Sequence, residues 1–270
     1  MIEKALLLAQ QIQAEKIDKL TLSDLQQIIG FIDYTTLNDS DNQSSVLKWI
    51  DDSIELMNSV SQHFAAWCVF PEFIPLLIQR RDNPAISIAV VSGNFPSGKA
   101  MTQIKVEESV MSESMGADEI DVVINKGWAL EGNFVKIEKE IRLIKGSLDA
   151  AHLKVIMETG LLDDHQIYEC SKAAMKGGAD FIKTSTGKIP EGASLKAIAI
   201  MSYAIKEFYK SSGRKVGIKP SGGITTPEEA IQYIKVVKEV LGEEWLNPSL
   251  FRIGASRLLS NSIQKINEGL

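Results

Sequence analysis

An alternation constrains this chain more than any other feature. Eight short runs of β-branched and apolar residues recur along it, at 29–33, 65–69, 86–91, 119–124, 153–157, 181–183, 216–219 and 251–253. Several are almost continuously apolar, the pattern of parallel strands covered on both faces. Longer amphipathic stretches lie between them. Residues 44–62 open on Ser44-Ser45, and 99–116 end at Gly116. Residues 133–146 carry Phe134, Val135, Ile137, Ile141 and Ile144 at helical spacing. Residues 163–177 begin with Asp163-Asp164 and end at Gly177-Gly178, and 192–211 end before Gly213. Thr226-Pro227-Glu228-Glu229 has a capping-box pattern and starts a helix towards Val240.

Eight strands alternating with helices predict an α/β protein, either a (β/α)8 TIM barrel or a large doubly wound sheet. Strand count and a length of 270 residues favour the barrel. We expect one domain over 1–270, with 1–28 as an N-terminal helical cap whose second helix opens at Thr21-Leu22-Ser23-Asp24.

Composition narrows the function. The chain is 44% apolar and 24% charged, ordinary for a soluble globular protein. Its formal charge of −6 argues against nucleic acid, whose phosphates need a basic face. No run approaches the roughly 18 apolar residues of a membrane span, so no membrane partner is expected. The N-terminus reads as an amphipathic helix rather than a signal peptide, because Gln10, Gln11 and Gln13 follow its short apolar stretch. Cys68 and Cys170 match no metal or redox spacing. The expected location is the cytoplasm. Apolar helix faces leave room for a homodimer or higher homo-oligomer without marking an interface.

In a barrel of this kind the chemistry gathers at the C-terminal ends of the strands. Lys183 ends the sixth run and is followed by Thr184-Ser185-Thr186-Gly187-Lys188. Lys219 ends the seventh and is followed by Pro220-Ser221-Gly222-Gly223. Burial and a neighbouring cation both favour a neutral amine, which is a nucleophile. A strand-end lysine can also snorkel to solvent or pair with a carboxylate. The two lysines could exchange roles, and spacing does not decide between them.

Asp121 lies between Ile120 and Val122 in a strand, where an unpaired carboxylate is costly. It can balance the lysines, relay protons, or make a structural ion pair. Asp118 and Glu119 precede the strand core and are read as solvated. Asp33 can orient a substrate hydroxyl or cap a loop. Cys68 is a small strand residue near the site end. Gly187-Lys188, Gly222-Gly223 and Gly254-Ala255-Ser256 follow the last three strands, where backbone N–H groups hold anions. His63, His152 and His165 are scattered, so no metal site is expected.

These residues resemble the deoxyribose-phosphate aldolase family, class I aldolases on a (β/α)8 barrel. Residues 181–187 are similar to the family's Schiff-base segment, 217–223 to its second-lysine segment, and 119–123 to its aspartate strand. Residues 33–37, 94–96 and 251–256 fit as well, so the likeness runs from the first strand to the last. It implies reversible cleavage of 2-deoxy-D-ribose 5-phosphate to D-glyceraldehyde 3-phosphate and acetaldehyde. Lys183 would form the imine, an electron sink that lets a carbon–carbon bond break to an enamine. Lys219 would keep Lys183 deprotonated, and Asp121 would shuttle protons through water. Gly187, Lys188, Gly222, Gly223, Gly254 and Ser256 would hold the phosphate. Asp33, Thr35, Cys68 and Thr186 would line the sugar pocket. No metal or organic cofactor is implied, because the lysine supplies the electron sink.

The chain departs from the pattern in four places. Ser221 stands where alanine is frequent, and Arg257 where a second serine is familiar. Residues 124–128 differ from the better-known bacterial form, and the terminal 267–270 lack a tyrosine found in some members. Three other readings stay open: a class I aldolase for another phosphosugar, a phosphosugar isomerase using the carboxylates, and a non-catalytic phosphosugar-binding protein.

Overall fold

The computed structural model describes residues 1–17 and 19–269. Asp18, inside the expected cap, and Leu270, in the tyrosine-free tail, lie outside them. Eight strands form one parallel sheet: β1 (Ile32–Thr35), β2 (Ala66–Val69), β3 (Ser87–Ser92), β4 (Glu119–Val123), β5 (His152–Ile156), β6 (Phe181–Lys183), β7 (Gly217–Lys219) and β8 (Ile253–Ala255). Their order is β7-β6-β5-β4-β3-β2-β1-β8. Parallel bridges from Ile218 to Phe251 and from Ser221 to Gly254 join the two ends. The expected TIM barrel is therefore the fold, and the doubly wound sheet is not.

Helices cover the outside because their sequences begin and end on clear signals. In α2 (Leu22–Phe31), α8 (Asp164–Gly177) and α10 (Pro227–Leu241) the caps Thr21, Asp163 and Thr226 each form a reciprocal capping box. A cap of this kind is worth about 1 kcal/mol against alanine. Gly178 and Gly213 end α8 and α9 (Leu195–Ser212) in the left-handed conformation. The first helix, α1 (Ile2–Ala14), buries Ala5, Ala9 and Ile12 and lies along α9 and α10.

Two strand assignments shift. The run 29–33 begins as helix: α2 continues through Ile29, Gly30 and Phe31, and β1 starts at Ile32. The capped helix carries Leu25, Ile28 and Ile29 on one buried face, which outweighs the strand preference of the run. Asp33 thus lies second in its strand, not at its upper end. The last strand likewise begins at Ile253 rather than Phe251. Three helices had no expectation: α4 (Ile74–Arg80), α6 (Lys126–Leu130) and α11 (Leu258–Asn267). The remaining α-helices are α3 (Gln43–Val60), α5 (Thr102–Ser114) and α7 (Phe134–Ser147).

The barrel interior divides in two. On one side Ala66, Cys68, Ala89 and Val91 pack with Leu37 as a small apolar cluster. On the other side the inward positions carry charge, considered below. At the lower end the Phe181 ring fills the centre, and Gly217 opposite it has no alternative. A Cβ there would lie 2.3–2.6 Å from three atoms of that ring. Gly217→Ala is expected to destabilise the fold by about 1–3 kcal/mol through overpacking. Denaturant unfolding should detect it, and Phe181→Leu in the same chain should recover part of the loss.

Candidate active site

The register of the strands builds the site. Ile156, Lys183 and Lys219 are partners across β5, β6 and β7, so the two lysines stand side by side. One level down, Asp121 is level with Lys154. Lysine Nζ atoms reach across the interior from there. Lys183 and Lys219 each donate to Asp121 Oδ2 at 2.7 Å, and Lys154 donates to Oδ1 at 2.9 Å. Lys219 also pairs with Asp33, and Lys154 with Glu119. Arg252 donates to Asp33 at 2.6 Å and to Glu119 at 2.7 Å. Two strands thus bring three carboxylates, and four positions bring cations.

Charge count explains the electrostatics. Asp33, Glu119 and Asp121 are three anions, and Lys154, Lys219 and Arg252 are three cations. Lys183 is the surplus fourth cation. Burial pushes the Lys183 amine below its ordinary range, and the Lys219 charge pushes it further, against the pull of Asp121. Burial opposes the charge on Lys219 too, but Asp121 and Asp33 outweigh it and hold that amine protonated. Burial likewise opposes ionisation of Asp121, yet Lys154, Lys183 and Lys219 hold its pKa well below the usual carboxylate range. The two lysines that spacing left interchangeable are therefore unlike each other. Lys183 is 3% exposed and belongs to the cleft lining, whereas Lys219 is fully enclosed. A neutral amine at the floor of a cleft can add to a carbonyl carbon.

The cleft above has a volume of about 410 Å³. Tyr34 and Trp49, stacked at 4.7 Å, form part of its wall. Thr35, Thr186, Gly187, Lys188, Gly222 and Gly223 line it, with Gly254, Ser256 and Arg257. Gly222 and Gly223 have φ of +86° and +84°, a conformation that L side chains rarely adopt. Gly254 meets a different need: a Cβ there would come within 2.8 Å of Ser221 Cβ and 3.1 Å of Lys219 Cε. Lys188 donates to the Leu37 carbonyl at the rim. The N-terminus of α11 opens beside Ser256 and Arg257. Lysine, arginine, glycine N–H groups and a helix N-terminus together suit an anion.

Most of the expected positions meet at this cleft. Asp121 and Lys219 lie directly beneath it, and Asp33 and Cys68 do not line it either. Asp33 lies beneath the opening, held by Lys219 and Arg252, because β1 starts three residues later than its sequence suggests. Cys68 packs inside the apolar half, its thiol pushed up by burial. Glu119, expected to be solvated, is 1% exposed and ion-paired, since its strand position points inward. Asp118 keeps partial exposure and accepts from the Ile88 N–H at 2.8 Å. Lys154 and Arg252 had no expectation at all. Their signal was present, a cation inside an apolar strand run, as for Lys183. Among the described residues no group of three His, Cys, Asp or Glu side chains is arranged around a metal position.

Comparison with known proteins agrees with this geometry. The DeoC/LacD family aldolase profile matches residues 27–243. The human deoxyribose-phosphate aldolase is 36% identical over 96% of this chain and 86% of its own length. The mouse deoxyribose-phosphate aldolase is 37% identical with the same coverage. The solved structure of a tetrameric deoxyribose phosphate aldolase from Aeropyrum pernix superposes with a TM-score of 0.65. It covers 93% of this chain and 100% of that one at 21% identity, a likeness of fold alone.

The charge count makes a signed prediction. Glu119→Gln removes an anion and should lower the pH at which Lys183 becomes reactive. Lys154→Met removes a cation and should raise it. Each shift should be about one unit, the scale of a single charge a few ångströms away. The pH dependence of amine labelling at Lys183, followed by peptide mass mapping, reads both.

Proposed function

The chain belongs to the DeoC/LacD aldolase family, and from that premise we propose that it cleaves 2-deoxy-D-ribose 5-phosphate reversibly to D-glyceraldehyde 3-phosphate and acetaldehyde. Its human and mouse relatives are named deoxyribose-phosphate aldolase. The observation that carries the proposal is the depressed amine of Lys183 at the base of an anion-suited cleft.

The residues divide the work. Lys183 Nζ adds to the aldehyde carbon C1, and loss of water leaves a protonated imine. The C3 hydroxyl gives up its proton and the C2–C3 bond breaks, its electrons passing into the imine to form an enamine. The aldehyde product departs with the phosphate. Protonation of C2 and hydrolysis of the imine then release acetaldehyde and restore the amine. Lys219, held protonated, keeps Lys183 neutral by repulsion. Asp121 shuttles protons through water; its strongly depressed pKa means that it passes a proton on rather than keeps it.

Gly187, Lys188, Gly222, Gly223, Gly254 and Ser256 hold the phosphate, with Arg257 beside them. Thr35 and Thr186 face the sugar. Asp33 and Cys68 support that pocket from below. The lysine supplies the electron sink, so the reaction requires no cofactor.

The same reading extends to the whole chain. One barrel domain spans 1–270, with 1–28 as its N-terminal helical cap. The cytoplasm is the proposed location, consistent with two unpaired cysteines, both buried. No nucleic-acid partner is proposed, given the charge of −6. Among the described residues no helix is long and apolar enough to cross a membrane. A homodimer or higher homo-oligomer is the proposed assembly, and exposed Ile104 and Met111 on α5 offer it apolar surface.

Borohydride reduction in the presence of acetaldehyde is expected to attach a two-carbon adduct to Lys183. Lys183→Ala should abolish the adduct and lower kcat/KM on the order of 10³-fold or more without unfolding the protein. Lys219→Leu should raise the Lys183 pKa and move the acid limb of activity to higher pH. Normal turnover by Lys183→Ala would sink the imine mechanism, and binding of the sugar phosphate without any adduct would favour an isomerase or a binding protein.

A further inference from the structure

Glu158 takes no part in the ion network, yet it is fully buried. It follows β5 with φ 59° and ψ 57°, a left-handed conformation that is uncommon outside glycine, asparagine and aspartate. Strain of this kind persists only where surrounding contacts impose it. The contacts are specific. Glu158 Oε1 accepts from the Thr186 N–H at 3.0 Å, and Oε2 accepts from Thr186 Oγ1 at 2.7 Å. Thr186 Oγ1 in turn accepts from the Lys188 N–H at 3.1 Å. From the other side Lys126 Nζ approaches Glu158 Oε2 at 3.4 Å and donates to the Pro96 carbonyl at 2.8 Å. One carboxylate therefore ties the segment after β5 to the turn after β6 and, through Lys126 at the start of α6, to the loop after β3.

We propose that Glu158 is a positioning residue that holds the turn 186–188 in its anion-accepting shape, with Lys126 holding Glu158. The inference rests on the aldolase reading given above and adds to it a residue that acts on the phosphate half of the substrate. The carboxylate accepts both donors of Thr186 at once. That fixes the peptide on which Gly187 turns, at φ +74°, and aims the Lys188 stem across the cleft. The imine half of the reaction has a separate support, the network around Asp121, which shares no residue with Glu158.

Glu158→Gln keeps the shape of the side chain but removes its charge and one acceptor. It is expected to raise KM for 2-deoxyribose 5-phosphate roughly tenfold with kcat within about twofold. The kcat/KM for unphosphorylated 2-deoxyribose should fall by a clearly smaller factor, since Thr186 also faces the sugar. Borohydride trapping of acetaldehyde on Lys183 should be unaffected. Lys126→Met, a change at a more open position, should move KM in the same direction by a smaller factor. Adding it to Glu158→Gln should produce little further loss, because the two act through one contact. Equal losses on both sugars, or an unchanged KM for the phosphorylated one, would overturn the role. Calorimetric binding of inorganic phosphate separates this proposal from the aldolase reading. A chain that forms no adduct with acetaldehyde refutes the aldolase, while weaker phosphate binding by Glu158→Gln still supports the clamp and equal binding removes it.

Discussion

One carboxylate organises the interior of this barrel. Asp121 receives Lys183, Lys219 and Lys154 from three different strands, and each of them was separated from water to reach it. Ions in such surroundings are stable only when paired, and removing one partner from a buried pair costs about 3–5 kcal/mol. The network therefore cannot relax by losing a member. It adjusts instead through its most weakly held proton. Three carboxylates balance Lys154, Lys219 and Arg252, and the proton on Lys183 is the one left over. Deprotonation of that lysine leaves the interior neutral, so the charge balance of the core and the depressed pKa of the amine have one physical cause.

The interior leaves space for this arrangement by being asymmetric. Ala66, Cys68, Ala89 and Val91 fill one half with small apolar groups, and the charged side chains occupy the other. Phe181 closes the lower end, with the Arg252 guanidinium 5.8 Å from its ring centre. The upper end stays open above Lys183. Two requirements that would conflict in one place are thus met at different heights: a buried charge network that depresses an amine, and an open mouth rich in N–H groups that suits an anion.

Much of the fold was legible along the chain. Strands buried on both faces produce near-continuous apolar runs, and helices with reciprocal caps announce their own starts. Thr21, Asp163 and Thr226 are the caps expected from their local sequences. Errors arose where local preference and tertiary packing disagree. Residues 29–31 read as strand but serve as the last turn of α2, which buries Ile29 and Phe31. α4 and α6 have only 7 and 5 residues, too few for a clear helical period, whereas α11 carries Leu258, Leu259 and Ile263 at helical spacing, a signal that was present in the sequence.

The sequence by itself determined the order of strands and helices, the lysines that end two strands and the glycines that follow them. Each of these is written in a few neighbouring residues. Only the tertiary structure decided which lysine holds its proton less tightly, because that depends on Asp33, Asp121 and Lys219, residues far apart in the chain that meet inside the barrel. It also brought in Lys154, whose single positive charge in an apolar run has no meaning until the register sets Asp121 beside it. Strand composition is a local property, whereas electrostatic potential sums over every charge within reach, and closure of the barrel alone determines which charges those are.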